Sequence, residues 1–191
     1  KRRGIIFDIG SIKSPIQSIL KNMANIGMQV TSIHPMFGPD SDLLTGKQII
    51  FMDIDQQNTH QDVKKLFEST TAQLIDMSIE NHDYAIAYVL GLSHMINIAF
   101  AKVLASTDDN RAVLPNLSST TFKDQLNVAK RVTDENPHLY FEIQHLNEHS
   151  LKTIKELNSA ISEITQAITE GQEETFVAMM EEGQSYFNKN E

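Results

Sequence analysis

Cysteine is absent from this 191-residue chain, and its absence excludes disulfides, thiolate nucleophiles and cysteine-bound zinc or iron–sulfur centres. A reducing, cytoplasmic setting fits. Positive charge is scarce: 16 Lys and Arg stand against 25 Asp and Glu, for a net charge of −9. No long basic cluster follows Lys1-Arg2-Arg3, so nucleic acids and anionic membranes are disfavoured as partners. The N-terminus carries no apolar stretch with a small-residue cleavage site, as a secretory signal would. Internal repeats and low-complexity segments are also missing, and the length is enough for one large domain or two small ones.

What is present begins with Gly4 to Asp8, a continuously apolar run ending in a carboxylate, which reads as an interior strand of a parallel sheet. Ser14-Pro15 offers an N-cap and a first-turn proline for a helix over about 15–26 that stops at Gly27. Met28 to Ile33 is strand-like, Gln48 to Ile54 is another strand, Thr59 to Thr70 an amphipathic helix and Ala72 to Met77 a short strand. A parallel α/β architecture follows for residues 1–77. Beyond Ile79 only helices are expected, over about 84–105, 119–133, 137–169 and 171–187, so 78–191 forms a second, all-helical domain. The stretch 84–105 is apolar enough to suggest a membrane span, yet Ser93, His94, Asn97 and Lys102 interrupt it and aromatic belts are lacking. It reads as a helix buried on nearly all sides, some of whose partners come from a second copy of the chain.

His34 to Asp40 reads His-Pro-Met-Phe-Gly-Pro-Asp. One titratable ring is placed at a strand end, followed by two prolines of fixed φ and a glycine of free φ. The segment suits an active site, and it would equally suit a rigid connector. Asp83, His94 and Asn97 fall on one stripe of the apolar helix at about 100° per residue, either as an interhelical hydrogen-bond network or as the wall of a pocket or subunit contact. His138, His145 and His149 share one predicted helix, but His-Leu-Asn-Glu-His lacks the second-position glutamate of the zinc-protease motif, so no metal is expected. The acidic stretch Glu170 to Glu182 reads as a solvated face and Met179-Met180 as core.

Together, Asp8-Ile9-Gly10-Ser11-Ile12-Lys13, the His34 segment, His82-Asp83 with Leu92-Ser93-His94, and Arg131-Val132 leading to Pro137-His138-Leu139-Tyr140 resemble prephenate dehydrogenase. The resemblance runs over nearly the whole chain and implies the distal part of a Rossmann-like nucleotide-binding domain followed by a helical dimerisation domain. It implies oxidative decarboxylation of prephenate to 4-hydroxyphenylpyruvate, with hydride passing to NAD or NADP, in tyrosine biosynthesis. In that reaction His34 accepts a hydrogen bond or proton from the ring hydroxyl, a task a neutral imidazole suits near pH 7. Ser11 bonds the same hydroxyl or steadies His34, unless it is simply a helix cap. Arg131 grips a carboxylate, although it lies opposite the apolar face of its helix, where a surface arginine would also sit. Lys13 adds a second positive charge, His94 faces the substrate, and Gly10 with Ser11 lies beside the cofactor. A homodimer and feedback binding of tyrosine belong to the same picture.

One departure stands out. The chain contains no Gly-x-Gly-x-x-Gly turn, so the phosphates of a dinucleotide have no cradle in it, and the chain is expected to have little or no activity alone. Two alternatives stay open: arogenate as substrate, and a non-enzymatic dimerisation module that senses tyrosine.

Overall fold

The computed structural model describes residues 4–38, 41, 43–55, 57–107, 113–117 and 119–189. Pro39 and Asp40, at the end of the His34 segment, lie outside them. By its internal contacts the chain parts into two compact units, Lys1–Ser150 and Leu151–Glu191.

The first unit opens on a four-stranded sheet in the order β1-β2-β3-β4, formed by Ile6–Asp8, Val30–Pro35, Gln48–Asp53 and Gln73–Ser78. β1 pairs with β2 and β3 with β4 in parallel, whereas β2 and β3 are antiparallel. The sheet is therefore mixed, not purely parallel as the element order suggested. Helices α1 (Gln17–Asn25) and α2 (Thr59–Lys64) supply the crossovers that parallel pairs need, whereas among the described residues no helix lies between β2 and β3, in keeping with their antiparallel pairing. Among the described residues β1 lies at one edge of this sheet, and Ile5, Ile6 and Phe7 are exposed.

Side-chain alternation along the strands builds two apolar layers. On one face Val30, Ile50 and Met52 pack with Leu20 of α1 and with Ile79 and Ile86. On the other, Ile33, Ile49 and Phe51 pack with Val63 of α2. His34 has the parity of Val30, so it points to the α1 side. α1 ends as expected at Gly27, whose φ of +81° fits the left-handed cap, with Met28 N–H bonding the Met23 carbonyl and Gly27 N–H that of Ala24. Its start differs from the expectation: Ser14 does not cap the helix, because its hydroxyl is drawn to Asp83.

The apolar helix begins at Ile79 rather than 84, capped by the Ser78 hydroxyl. α3 (Ile79–Ile86) runs through a π-helical segment (Ala87–Leu92) into α4 (Ser93–Ala105). By length and composition Ile79–Ala105 could cross a membrane, yet its buried side carries His82, Asp83, His94 and Asn97. It is not buried all round as expected: Val89 and Val103 are more than half exposed. One side packs on the sheet and on α5 (Thr120–Thr133), where Phe100 meets Phe122 edge-on at 6.0 Å.

The single helix expected over 137–169 is two. α6 (Pro137–Leu146) stops at Asn147, and α7 (Ser150–Thr169) starts after it. The Asn147 side chain accepts from His149 N–H and donates to the Asp83 carbonyl, competing with the helical ladder. The three histidines consequently share no helix face; His145 stacks on Phe141 and His149 meets Tyr84. In the second unit, α7 is followed by α8 (Glu173–Asn188) after a turn at Gly171, φ +67°. Most of the acidic face of α8 is exposed, but so is Met180, which was expected in a core.

Candidate active site

Four elements meet around His34: the end of β2, the turn after β1, α3 with its π segment, and α6. The His34 ring is buried, and its Nδ1 lies 2.9 Å from Nε2 of His82. His82 Nδ1 in turn lies 2.7 Å from Asp83 Oδ1. The Asp83 carboxylate also accepts from Lys13 N–H at 2.9 and 3.0 Å, from Ser14 N–H and from the Ser14 hydroxyl. Burial alone would raise this carboxyl, but the bonds from His82, Ser14 and Lys13 outweigh it and hold the group at about 2. For His34, burial together with His82 and Lys13 pushes the imidazole down to about 3. The ring is therefore neutral across the physiological range because of its surroundings rather than its ordinary pKa.

A cavity of about 230 Å³ opens beside this ring, lined by Ser11, His34, Leu90, His94, Leu139 and Tyr140 among others. Met36, Phe37 and Ile143 add apolar wall, and exposed Glu135 a carboxylate. His94 stacks on Tyr140 with ring centroids 4.1 Å apart, and its buried Nδ1 has no hydrogen-bond partner among the described residues. Burial lowers the His94 pKa and raises that of Tyr140, the latter with help from Glu135. A partly open, mainly apolar space with imidazoles and a hydroxyl suits a ring-shaped ligand bearing a hydroxyl group.

Of the residues singled out in the sequence, Ser11, His34 and His94 come together here. The other three do not. Lys13 is fully buried, its ammonium donating to Asp8 at 2.9 Å and to the Ile33 carbonyl at 2.8 Å, so it ties β1 to β2 and offers no charge to the cavity. Gly10 is exposed, its N–H bonds Asp8 Oδ1 at 2.9 Å, and an added Cβ would sit 3.3 Å from that oxygen. It does not line the cavity. Arg131 is exposed on α5, in a surface groove with Asp124, Asn127 and Asp134. Within one chain it and His34 line different spaces.

The polar stripe of the apolar helix divides into three fates: Asp83 holds the β1–α1 turn, His94 faces the cavity, and Asn97 accepts from the Gln125 side chain at 2.8 Å. Sequence reasoning left His82, Glu135 and Tyr140 out of the site, although His82-Asp83 and the Pro137 to Tyr140 stretch were visible as motifs. The π segment could not be read from periodicity; it leaves the Gly91 carbonyl to accept from Gln144 at 2.8 Å. Among the described residues no group of three His, Asp or Glu side chains is placed to hold a metal ion.

The dimerization-domain model of prephenate dehydrogenase matches residues 78–182, more than half of the chain. The chain belongs to the prephenate dehydrogenase family. It is similar to the T-protein of Enterobacter agglomerans, 29% identical over 184 residues that make up 96% of this chain and 48% of that protein. A probable arogenate/prephenate dehydrogenase of Methanocaldococcus jannaschii is 24% identical, over 96% of this chain and 42% of its own length. The chain thus spans about half the length of the curated relatives it matches. In fold it is similar to prephenate dehydrogenase from Aquifex aeolicus in complex with hydroxyphenyl propionate and NAD+, with a TM-score of 0.75, 22% identity, and coverage of 98% of this chain and 68% of that one.

Proposed function

We propose that the protein carrying this chain oxidises and decarboxylates prephenate to 4-hydroxyphenylpyruvate, with NAD or NADP taking the hydride. The observation that carries the reading is the neutral, buried His34 ring beside Ser11 and His94 in a mainly apolar cavity of a family member. The residues present do not make a dinucleotide cradle: the glycine-rich turn is not in this chain, and Gly10 serves Asp8. The described residues therefore bind and orient the ring, and the cofactor chemistry is supplied from elsewhere in the protein. On this reading residues 1–77 are nucleotide-domain sequence, 78–191 the substrate and dimer domain, and the 191-residue chain alone turns over little.

His34 accepts a hydrogen bond from the ring hydroxyl, drawing electron density toward the carbon that loses hydride. Ser11 steadies the same hydroxyl. Met36, Phe37, Leu139 and Ile143 exclude water and hold the ring. Loss of CO2 needs no protein nucleophile, because rearomatisation drives it. Arg131 reaches a carboxylate across a homodimer, from the partner subunit's copy of the surface groove.

Arogenate is the second reading, favoured by Glu135 on the cavity wall, a carboxylate that an ammonium group would satisfy and a keto group would not. The test is kinetic: the full-length protein is given prephenate or arogenate with NAD or NADP, and cofactor reduction is followed. Turnover of either substrate, lost in His34→Asn, supports the dehydrogenase, and the ratio of the two kcat/KM values selects the substrate. Tyrosine binding without any turnover, unaffected by His34→Asn, would make the protein a sensing module instead. A cytoplasmic location and tyrosine feedback belong to the same proposal.

A further inference from the structure

His34 is linked to the Asp83 carboxylate through a second imidazole, His82, and the proposed chemistry does not use that pair. We propose that Asp83 is a positioning residue for the reaction, deciding through His82 which nitrogen of His34 carries the proton and so turning a bare acceptor nitrogen toward the cavity. The proposal deepens the dehydrogenase reading and rests on it.

A carboxylate can only accept, so the 2.7 Å contact with Asp83 places a proton on His82 Nδ1. His82 is fully buried, and the buried Lys13 ammonium donates to the carbonyl of Ile33, next to His34. A second cation is disfavoured there, so Nε2 of His82 keeps a lone pair. That lone pair accepts from His34 Nδ1–H across 2.9 Å, leaving the lone pair of His34 on Nε2. The hydroxyl of a bound ring can donate to that nitrogen. Any positive charge that develops on His34 faces the Asp83 charge through His82, the arrangement by which an orienting aspartate serves a catalytic histidine in hydrolytic triads.

The same carboxylate accepts from Lys13 N–H, Ser14 N–H and the Ser14 hydroxyl. Those atoms belong to the turn that carries Ser11. One side chain on α3 thus holds both candidate hydroxyl-binding groups, the imidazole through His82 and the serine through the backbone. Asn147 completes the setting by donating to the Asp83 carbonyl at 2.8 Å.

Asp83→Asn tests the relay. An amide turned toward His82 donates where the carboxylate accepted, which moves the His82 proton to Nε2 and forces His34 to carry its own on Nε2. Histidine-selective ¹⁵N NMR of the full-length protein reads the tautomer directly: His34 Nε2 is expected unprotonated in the native protein and protonated in Asp83→Asn. With turnover measured alongside, kcat is expected to fall about 10²- to 10⁴-fold with little change in KM. A second pair covers failure of that variant to fold. His82→Leu removes the relay and is expected to lose turnover, whereas His82→Gln, whose carbonyl can accept from His34 while its amide donates to Asp83, is expected to recover the tautomer and part of the rate. An unprotonated His34 Nε2 in Asp83→Asn, or native turnover in His82→Leu, would overturn the proposal. A tautomer that switches as stated in a protein that oxidises neither substrate would instead overturn only the dehydrogenase reading.

Discussion

At the scale of single residues, burial decides more than identity does. His34 titrates near 3 in the fold against 6.5 for the free ring, so the unfolded chain binds a proton that the folded one refuses. The stability this represents is complete above pH 6.5 and is lost as pH falls from there toward 3, at up to about 1.4 kcal/mol per pH unit. His94, lowered by burial, acts in the same direction. Urea denaturation of the protein and of His34→Asn across pH 7 to 4.5 is expected to give a shallower decline for the variant; equal slopes would mean that the ring is solvated. His34→Asn in the full-length protein is also expected to lower turnover about 10²- to 10⁴-fold. Lys13 shows the converse lesson. Its positive charge looked available in the sequence, but an ammonium buried between Asp8 and the Ile33 carbonyl is already committed to holding strands together.

Among the elements, the clearest local signals are the caps and stops. Gly27 sits at φ +81°, and none of the described residues comes within 4 Å of where a Cβ would go, so its role is conformational. Gly27→Ala is expected to cost about 1 kcal/mol, seen as a lower urea midpoint at unchanged slope. Ser119 caps α5 and Asn136 caps α6 ahead of Pro137. Ser14-Pro15 carries the same local signal and fails, because a carboxylate 69 positions away competes for the hydroxyl. Asn147 breaks a helix for the same reason, its side chain answering His149 and Asp83 at once. Periodicity put Asp83, His94 and Asn97 on one face and all three are buried, but it could not foresee that each would serve a different partner.

For the whole molecule, one chain keeps Arg131 and His34 in separate spaces, and the proposed function joins them across a homodimer. A site shared between subunits makes a specific prediction. Homodimers of His34→Asn and of Arg131→Ala are each expected to lose most turnover, and co-refolding equal amounts of the two is expected to restore about a quarter of it, because mixed dimers contain one site with both native residues. No restoration would place both residues in the same subunit or remove Arg131 from the site. Ile96 and Val103, seven positions apart on α4 and exposed, offer apolar surface for such an interface. The double variant Ile96→Glu/Val103→Glu is expected to shift the full-length protein toward monomer in sedimentation velocity.

The order of strands and helices, the stop at Gly27, the change to all-helical structure near residue 78 and the candidacy of His34, Ser11 and His94 were all legible in the amino-acid sequence. They depend on local propensity, side-chain alternation and motifs that a linear chain displays. Only the tertiary structure decided that the sheet is mixed, that Lys13 is a buried tie, that Arg131 lies away from His34 within one chain, and that His82 links His34 to Asp83. Those outcomes depend on which groups compete for the same proton, carbonyl or buried charge, a contest between residues up to 134 positions apart that local pattern does not encode.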